Sequence, residues 1–324
     1  MGKRVKLSNG RRLVDDVIAM STKMPLATVG GVYAAPLTAK FRLRTRPKVS
    51  WNVLYMKAYA SVCEREPAFR QSFVSFPWGH LYQHDYNVCM MTIAREYQGE
   101  ERLFFARFNR PDHETLEDLQ LKYDYFRETP IQEIKQFRHQ IMFAKFPRPI
   151  RRFGWWALFN IWPKKRASHM GTFGMTLSGY RGAHGSGMLG PNTTTLGVDP
   201  VPRKGSGKIL LSFDHRVIDG TPACKALQQL NHILNTAIRE ELADMIRVHP
   251  ETGRDLNKLE IIDLENRLRT QRILEKRKKL KKRGQRKMGL ADEVRLADEV
   301  RLADEVRLAD EDRLDDKDRG ARAA

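Results

Sequence analysis

A histidine followed four residues later by an aspartate and then a glycine is the arrangement in this chain best suited to chemistry. It lies in the run SFDHRVIDG at 212–220, directly after the apolar residues of 209–211. The order predicts that His215 stands at a strand end as a catalytic residue. Asp219 would fix the following turn through a salt bridge, and Gly220 would let the backbone bend.

The elements that position this motif are predicted from hydrophobic periodicity and turn residues. A basic lead and then a helix are expected within 1–25, and an extended segment over 27–48. Gln98-Gly99 predicts the loop of a hairpin. Further helices are predicted at 51–66, at 112–145 with a break at Pro130, and at 221–249; further strands are predicted at 88–94, 103–108, 195–198 and 208–213.

The segment 147–166 departs from this pattern, because an apolar stretch rich in tryptophan lies between two basic clusters. One interpretation is a buried connector that packs Trp155, Trp156 and Trp162 into the core. A second is an interfacial membrane segment, with tryptophan at the headgroup level and cations on anionic lipid. A third is a subunit contact.

Composition bounds the class of protein without deciding it. The chain has 324 residues and a formal net charge of +19, of which residues 251–324 carry only about +3. A basic surface attracts polyanions, namely nucleic acid, anionic lipid or the phosphates of coenzyme A. Three widely spaced cysteines predict core residues in a reducing, cytoplasmic setting, and no histidine pair has the HExxH spacing of a metal site.

Three domains are predicted along the chain. Residues 1–250 would form the globular part, and 251–288 a basic helical extension. Residues 289–324 would form a charged tail built on a six-residue LADEVR repeat. Six residues advance a helix by about 600°, so the leucines of the repeat do not form a coiled-coil seam. We expect this tail to be partly helical or disordered and without catalytic residues.

The longer motif DHRVIDG at 214–220 resembles the catalytic domain of the dihydrolipoyl acyltransferase component of 2-oxo acid dehydrogenase complexes, and more distantly chloramphenicol acetyltransferase. The resemblance covers roughly residues 10–245. Three further blocks in the same order are similar to the family: 11–13 with 19–21, 52–58 followed by 66–70, and 171–173 followed by Thr176 and Ser178-Gly179.

The resemblance implies an α/β two-layer sandwich of the chloramphenicol acetyltransferase type, with a mixed sheet, packed helices and an active site between the subunits of a trimer. It implies coenzyme A, or a lipoyl or pantetheine thioester, as co-substrate, with no encoded bound cofactor. His215 would be the general base, for which an imidazole of reference pKa ~6.5 is suited. Asp219 would pair with Arg12, and Thr176 or Ser178 would donate to the oxyanion. Asp214 and Gly220 complete the motif.

The chain departs from the family at two places. Leu177 occupies a position that is usually polar, and 180–186 is unlike the family. The sequence also starts almost at the catalytic domain, which predicts a form without lipoyl and subunit-binding domains. A lipoylated or acyl-carrier partner, or a soluble thioester, would then supply the acyl group.

Two other functions remain open from the sequence. The main alternative is a catalytically altered, acyltransferase-like trimeric scaffold that assembles with a partner. The basic run at 267–287, with twelve Lys or Arg and one acidic residue, offers a weaker prediction of contact with nucleic acid or anionic membrane.

Overall fold

A computed structural model describes residues 7–177, 179–180, 183–184, 190–198 and 205–248. The helices are α1 (Asn9–Ser21), α2 (Pro36–Arg44), α3 (Trp51–Arg65), α4 (Leu116–Glu128), α5 (Lys135–Lys145), α6 (Arg148–Asn160), α7 (Pro163–Met170), α8 (Gly220–Asn235) and α9 (Ala237–Val248), with a 3₁₀ helix at Pro67–Arg70. The strands are β1 (Leu26–Ala34), β2 (Gln71–Val74), β3 (His80–Gln83), β4 (Val88–Tyr97), β5 (Glu100–Asn109), β6 (Phe173–Leu177), β7 (Gly179–Tyr180), β8 (Ala183–His184), β9 (Thr194–Val198) and β10 (Ser206–Asp214).

A mixed six-stranded sheet in the order β1-β10-β9-β6-β4-β5 forms the centre of the molecule. β1, β10 and β9 pair antiparallel, as do β4 and β5, whereas β6 runs parallel to both of its neighbours. The predicted α/β class with a mixed sheet and packed helices is therefore confirmed.

Helix α3 is the central helix of the core, with all but four of its fifteen residues buried. Ser50 precedes it, and the Ser50 hydroxyl accepts from the Val53 N–H at 3.4 Å, which satisfies one of the donors left open at a helix start. α3 packs against α4, α8 and α9. At the far edge of the sheet, α1 and α5 pack against β5 and against each other.

The hairpin predicted from 88–108 is confirmed. Tyr97 pairs with Glu100, so the loop is the two residues Gln98 and Gly99, both with positive φ. Two residues of positive φ form the hairpin turn whose twist matches that of the flanking strands. The break predicted at Pro130 is also confirmed, because it lies between α4 and α5.

Two predicted elements were wrong. The second half of the extended segment, 36–44, is helix α2, because Pro36 at the first turn has a φ fixed near the helical value and needs no N–H partner there. The single helix expected over 221–249 is two helices, since Thr236 leaves helical geometry with φ −118° and ψ −96°. Cys224 is exposed on α8 and is not a core residue.

The 147–166 segment forms α6 and the start of α7, and the side chain of Arg151 fixes it to α1. Its guanidinium donates to both oxygens of the buried Asp16 carboxylate, at 2.7 and 3.3 Å. The buried-connector interpretation was wrong for two tryptophans, because Trp156 is 37% and Trp162 47% exposed. Membrane and subunit contact stay predictions for this segment.

No helix within the described ranges is long and apolar enough to cross a membrane. The predicted basic extension (251–288) and repeat tail (289–324), including the basic run 267–287, lie outside the described residues. The division of the chain near residue 250 stays a prediction.

Candidate active site

The DHRVIDG motif spans the turn between β10, which ends at Asp214, and α8, which begins at Gly220. Within the sheet, Asp214 pairs with Leu26 of β1, and the next backbone N–H, that of His215, donates to the Pro25 carbonyl at 3.0 Å. The predicted strand-end position of His215 is confirmed. A rigid sheet edge therefore holds the backbone of the histidine.

Asp214 organises the turn from a buried position. Its carboxylate accepts two hydrogen bonds from the Arg216 guanidinium, at 2.9 and 2.7 Å, and one from the Arg216 backbone N–H at 3.1 Å. Its carbonyl accepts from the N–H groups of Val217 and Ile218. A buried carboxylate is stable only with such partners, so this set of bonds fixes the turn that carries His215.

His215 and Asp219 form a loose and exposed pair. His215 Nδ1 lies 3.5 Å from an Asp219 carboxylate oxygen, and the two side chains are 53% and 82% exposed. In the described part of this chain, Asp219 has this contact and no salt bridge with Arg12, which lies in the first turn of α1. The structure thus gives Asp219 a partner other than the predicted one. The contact on Nδ1 leaves Nε2 of His215 facing away from Asp219.

Gly220 does not need to be glycine for the turn to form. A Cβ placed there would meet no atom of the described residues within 4 Å, and its φ lies outside the left-handed region. The predicted backbone bend at Gly220 therefore has no support in the fold of the single chain. The open space in front of it is available to another molecule.

Thr176 lies on β6 beside Thr92 of β4. The Thr92 hydroxyl donates to the Thr176 oxygen at 3.0 Å, so Thr176 keeps its own hydroxyl proton for a different acceptor. The sequence analysis missed Thr92, whose only signal was its place in a predicted strand. Ser178, the other predicted oxyanion donor, lies outside the described residues.

One chain does not bring His215 and Thr176 together. Phe213 of β10 is in register with Thr194 of β9 and Phe173 of β6, whereas Thr176 is in register with Gly197 and Leu210. His215 and Thr176 therefore lie five positions apart along the strands, which is about 16 Å at ~3.3 Å per residue. The two groups lie toward opposite ends of the sheet.

Two other kinds of site find no support among the described residues. No group of three or more His, Cys, Asp or Glu is arranged to hold a metal ion there. Cys63 and Cys89 are buried, and burial raises the pKa of both thiols, which disfavours the reactive thiolate.

The fold has clear counterparts among solved structures. A scan of the sequence finds no matching family model and no matching curated protein. A probable dihydrolipoamide acetyltransferase from Listeria monocytogenes superimposes over 74% of this chain and 95% of its own, with 16% identity and a TM-score of 0.52.

Two other structures give the same result. The truncated catalytic core of the 2-oxoacid dehydrogenase multienzyme complex from Thermoplasma acidophilum covers 72% of this chain and 99% of its own, with 16% identity and a TM-score of 0.54. The Azotobacter vinelandii dihydrolipoamide acetyltransferase covers 75% of this chain and 94% of its own, with 17% identity and a TM-score of 0.52. The chain therefore has the fold of these catalytic cores, as the resemblance of its motifs predicts.

Proposed function

We propose that this protein is an acyltransferase. It moves an acyl group between coenzyme A, or a lipoyl or pantetheine thioester, and a thiol, hydroxyl or amine. One observation carries the proposal: the imidazole of His215 stands exposed at the β10–α8 junction, on a turn fixed by Asp214, in a fold shared with dihydrolipoamide acetyltransferase cores.

The proposed reaction uses His215 as the general base. Nε2 takes the proton of the acceptor's S–H, O–H or N–H group as that atom attacks the thioester carbonyl carbon. The carbonyl π electrons move to oxygen and give a tetrahedral oxyanion. Collapse re-forms the C=O bond and breaks the C–S bond, and the leaving thiolate takes the proton back from the imidazolium.

Thr176 is assigned to stabilise the oxyanion. Its hydroxyl accepts from Thr92 and so has its proton available for the developing negative charge. A donor aimed at that charge is typically worth about 10²–10³ in rate. Ser178 remains the alternative donor.

The spacing of the histidine and the aspartate supports the assignment of the base to His215. The catalytic mechanism of the Azotobacter vinelandii enzyme was investigated at a serine, a histidine and an asparagine, the last two being four residues apart. His215 and Asp219 have that spacing. We assign the base to His215 and give Asp219 the role of orienting the ring through Nδ1.

The active site is proposed to form between two copies of the chain in a trimer. The offset of about 16 Å along the strands between His215 and Thr176 supports this, because a base and an oxyanion donor act on the same carbonyl group. A similar protein forms the cubic core of the pyruvate dehydrogenase complex. A lipoylated or acyl-carrier partner is proposed as one source of the acyl group.

The alternative function is a trimeric scaffold with the same fold and no catalysis. The exposure of the His215–Asp219 pair favours it, since a working base is usually shielded from bulk water. The alternative predicts that the parent protein itself has no acyl transfer activity.

The test is acyl transfer by the purified full chain. Short and medium acyl-coenzyme A donors are mixed with dihydrolipoamide as a general thiol acceptor, and the donor and free coenzyme A are separated and quantified by chromatography. We expect turnover in the parent and in His113→Ala, a surface histidine variant, and a fall of about 10²–10⁴ in His215→Ala. Equal turnover in His215→Ala would overturn the assignment, and no turnover in the parent together with no binding of coenzyme A would favour the scaffold.

A further inference from the structure

A pocket lined by cations lies beside the turn that carries His215. It has a volume of about 510 Å³ and is formed by α1 and the residues just after it, by β2, and by α6 and α7. Among the described residues that line it, four side chains are basic and none is acidic: Lys23, Arg152, Arg166 and Arg216. We call this the cationic pocket.

Arg166 is the deepest of these cations and is only 3% exposed. Its guanidinium donates to the carbonyls of Phe73 and Pro191, at 3.2 and 2.9 Å, and stacks on the ring of Phe159. No carboxylate of the described residues lies within salt-bridge distance of it. Burial lowers its pKa to about 10, with Asp214 opposing the shift, so the guanidinium is still charged at neutral pH. A buried charge held by neutral carbonyls favours an anion nearby.

The nearby carboxylates of the described residues pair with the remaining cations, but they are fewer than the cations. Asp214 pairs with Arg216, and Arg152 pairs with Asp15 and Asp16, at 2.9 and 3.2 Å. The same two aspartates also pair with Arg148 and Arg151.

Lys23 adds a charge of its own. It is exposed and forms no salt bridge within the part of the chain that the structure describes. Among the residues that the structure describes, three carboxylates therefore serve six cations in and near the pocket, counting Lys23 and the buried Arg166. The surplus is positive.

Four aromatic side chains also line the pocket, beside two methionines, a serine and an asparagine. Phe153 stacks on Trp156 with the ring planes 27° apart, and Phe153 is 65% exposed. Arg166 lies over the ring of Phe159 and Arg216 over that of Phe73, so rings and cations lie side by side in this lining. That combination suits a ligand with a planar apolar body and an anionic group.

The cationic pocket is next to the proposed catalytic residue. Arg216 directly follows His215, and Met24, which also lines the pocket, precedes the Pro25 whose carbonyl holds the His215 N–H. A ligand in the pocket thus lies against the turn that presents the imidazole.

We propose that the cationic pocket binds the anionic end of the acyl acceptor, a planar compound that carries a phosphate or a carboxylate. The acceptor role rests on the proposed function; the binding of such an anion does not. The acyl donor also carries phosphate groups that could bind these cations, and the experiment distinguishes binding of the acceptor from binding of the donor.

The experiment measures binding by quenching of tryptophan fluorescence in the full chain at constant ionic strength. Phenyl phosphate and 4-aminobenzoate are the anionic probes, and benzamide is the neutral probe of similar shape. We expect both anions to bind at least about tenfold more tightly than benzamide, because a tenfold ratio needs only ~1.4 kcal/mol from the surplus charge. Equal affinity of the three probes would overturn the proposal.

Variants locate the binding. Lys23→Ala is expected to weaken phenyl phosphate about three- to tenfold and to leave benzamide unchanged, since it removes one charge and no ring. Lys208→Ala, an exposed lysine on β10 outside the pocket, is the matched control. Phe153→Ala should weaken charged and neutral probes alike. Unchanged affinity of phenyl phosphate in Lys23→Ala would overturn the assignment to this pocket.

Competition separates acceptor from donor. Coenzyme A, added at the lowest concentration that saturates its own binding, should leave the binding of phenyl phosphate unchanged. Displacement that depends on Lys23 would assign the pocket to the donor and overturn the acceptor role. Tight, Lys23-dependent binding in a protein without acyl transfer would retain the anion site but overturn the proposed function, so the two failures are distinguishable.

Discussion

The two ends of the central sheet present their polar groups in different ways. At the end of β10, a buried carboxylate, three N–H groups and a guanidinium fix a turn whose histidine projects half-exposed. Toward the other end, Thr176 is held by a single hydroxyl contact from the neighbouring strand. Each end is held by hydrogen bonds, and neither has both the proposed base and the proposed oxyanion donor. Under the proposed function, the fold of one chain positions the parts of the reaction, and a second copy brings them together.

The largest expected effect comes from placing the intact His215 and the intact Thr176 on different chains. His215→Ala and Thr176→Val should each lower acyl transfer by about 10²–10³ or more, because each removes one of the reacting groups. When the two variants are coexpressed in equal amounts, about three quarters of the trimers are mixed, and one of the three interfaces in each has both groups. The mixture should therefore regain about a quarter of the parent activity. The measurement is turnover of the purified mixture.

The control for this mixture is His215→Ala coexpressed with a chain that carries both substitutions, which should stay inactive. A mixture of the two single variants no more active than its components would mean that both groups act within one chain. Parent-level activity of Thr176→Val would assign the oxyanion donor to Ser178 instead. The Ser178→Ala variant would then take the place of Thr176→Val in the mixture.

The second effect concerns the rigidity of the histidine end. Asp214→Asn removes the charge that Arg216 binds and that opposes the desolvation of Arg166. Because Asp214 is buried and Arg216 only partly so, we expect a loss of about 2–3 kcal/mol in the free energy of unfolding. For a domain of this size the melting temperature should fall by roughly 5–10 °C. Asp219→Asn makes the same chemical change at an exposed position and serves as the control. Equal melting temperatures for the two variants would mean that the buried Asp214 carboxylate stabilises the fold no more than the exposed one of Asp219.

The third effect is a pH dependence of stability at the histidine end. Burial, with a contribution from Arg166, lowers the pKa of His84 to about 4. Its Nε2 contacts Ser72 at 2.9 Å; Ser72 contacts Thr193, whose carbonyl accepts the Asp214 N–H. Because the unfolded imidazole has a pKa near 6.5, the stabilisation is complete above about pH 6.5 and is lost as the pH falls toward 4.

Urea unfolding of the parent and of His84→Gln at pH 7 and 4.5 measures this effect. The parent should lose about 2–3 kcal/mol more than the variant over that interval, which is the free energy of a shift of this size. Parallel losses in the two proteins would show that His84 is not the group that titrates.

The sequence predicts the elements whose signals are local. The 88–108 hairpin follows from alternation around Gln98-Gly99, and the strand-end position of His215 follows from the apolar run before it. Pro36 misled the prediction, because a proline fits an extended segment and the first turn of a helix equally well. Thr236 carries no residue-type signal for the break between α8 and α9.

The sequence does not predict which distant charges meet. Asp16 and Arg151 pair across 135 positions, and Arg166 joins the carbonyls of two separate segments. The Asp16–Arg151 pair depends on the packing of α1 against α6, which periodicity within either helix does not encode. For this reason the motif was found from the sequence, whereas the cationic pocket beside it required the fold.

The smallest expected effect is at Asp219, and it tests whether the histidine end is as open in the assembled protein as it is in one chain. With a separation of 3.5 Å and 82% exposure, the contact with His215 is screened by water, so Asp219→Asn should lower kcat/KM less than about fivefold. Steady-state kinetics at two ionic strengths measures this. A loss of a hundredfold or more would mean that a second copy closes over the pair and shields it from water. In that case the open space in front of Gly220 would be part of the interface, and Gly220→Ala would be expected to weaken assembly while the chain still folds.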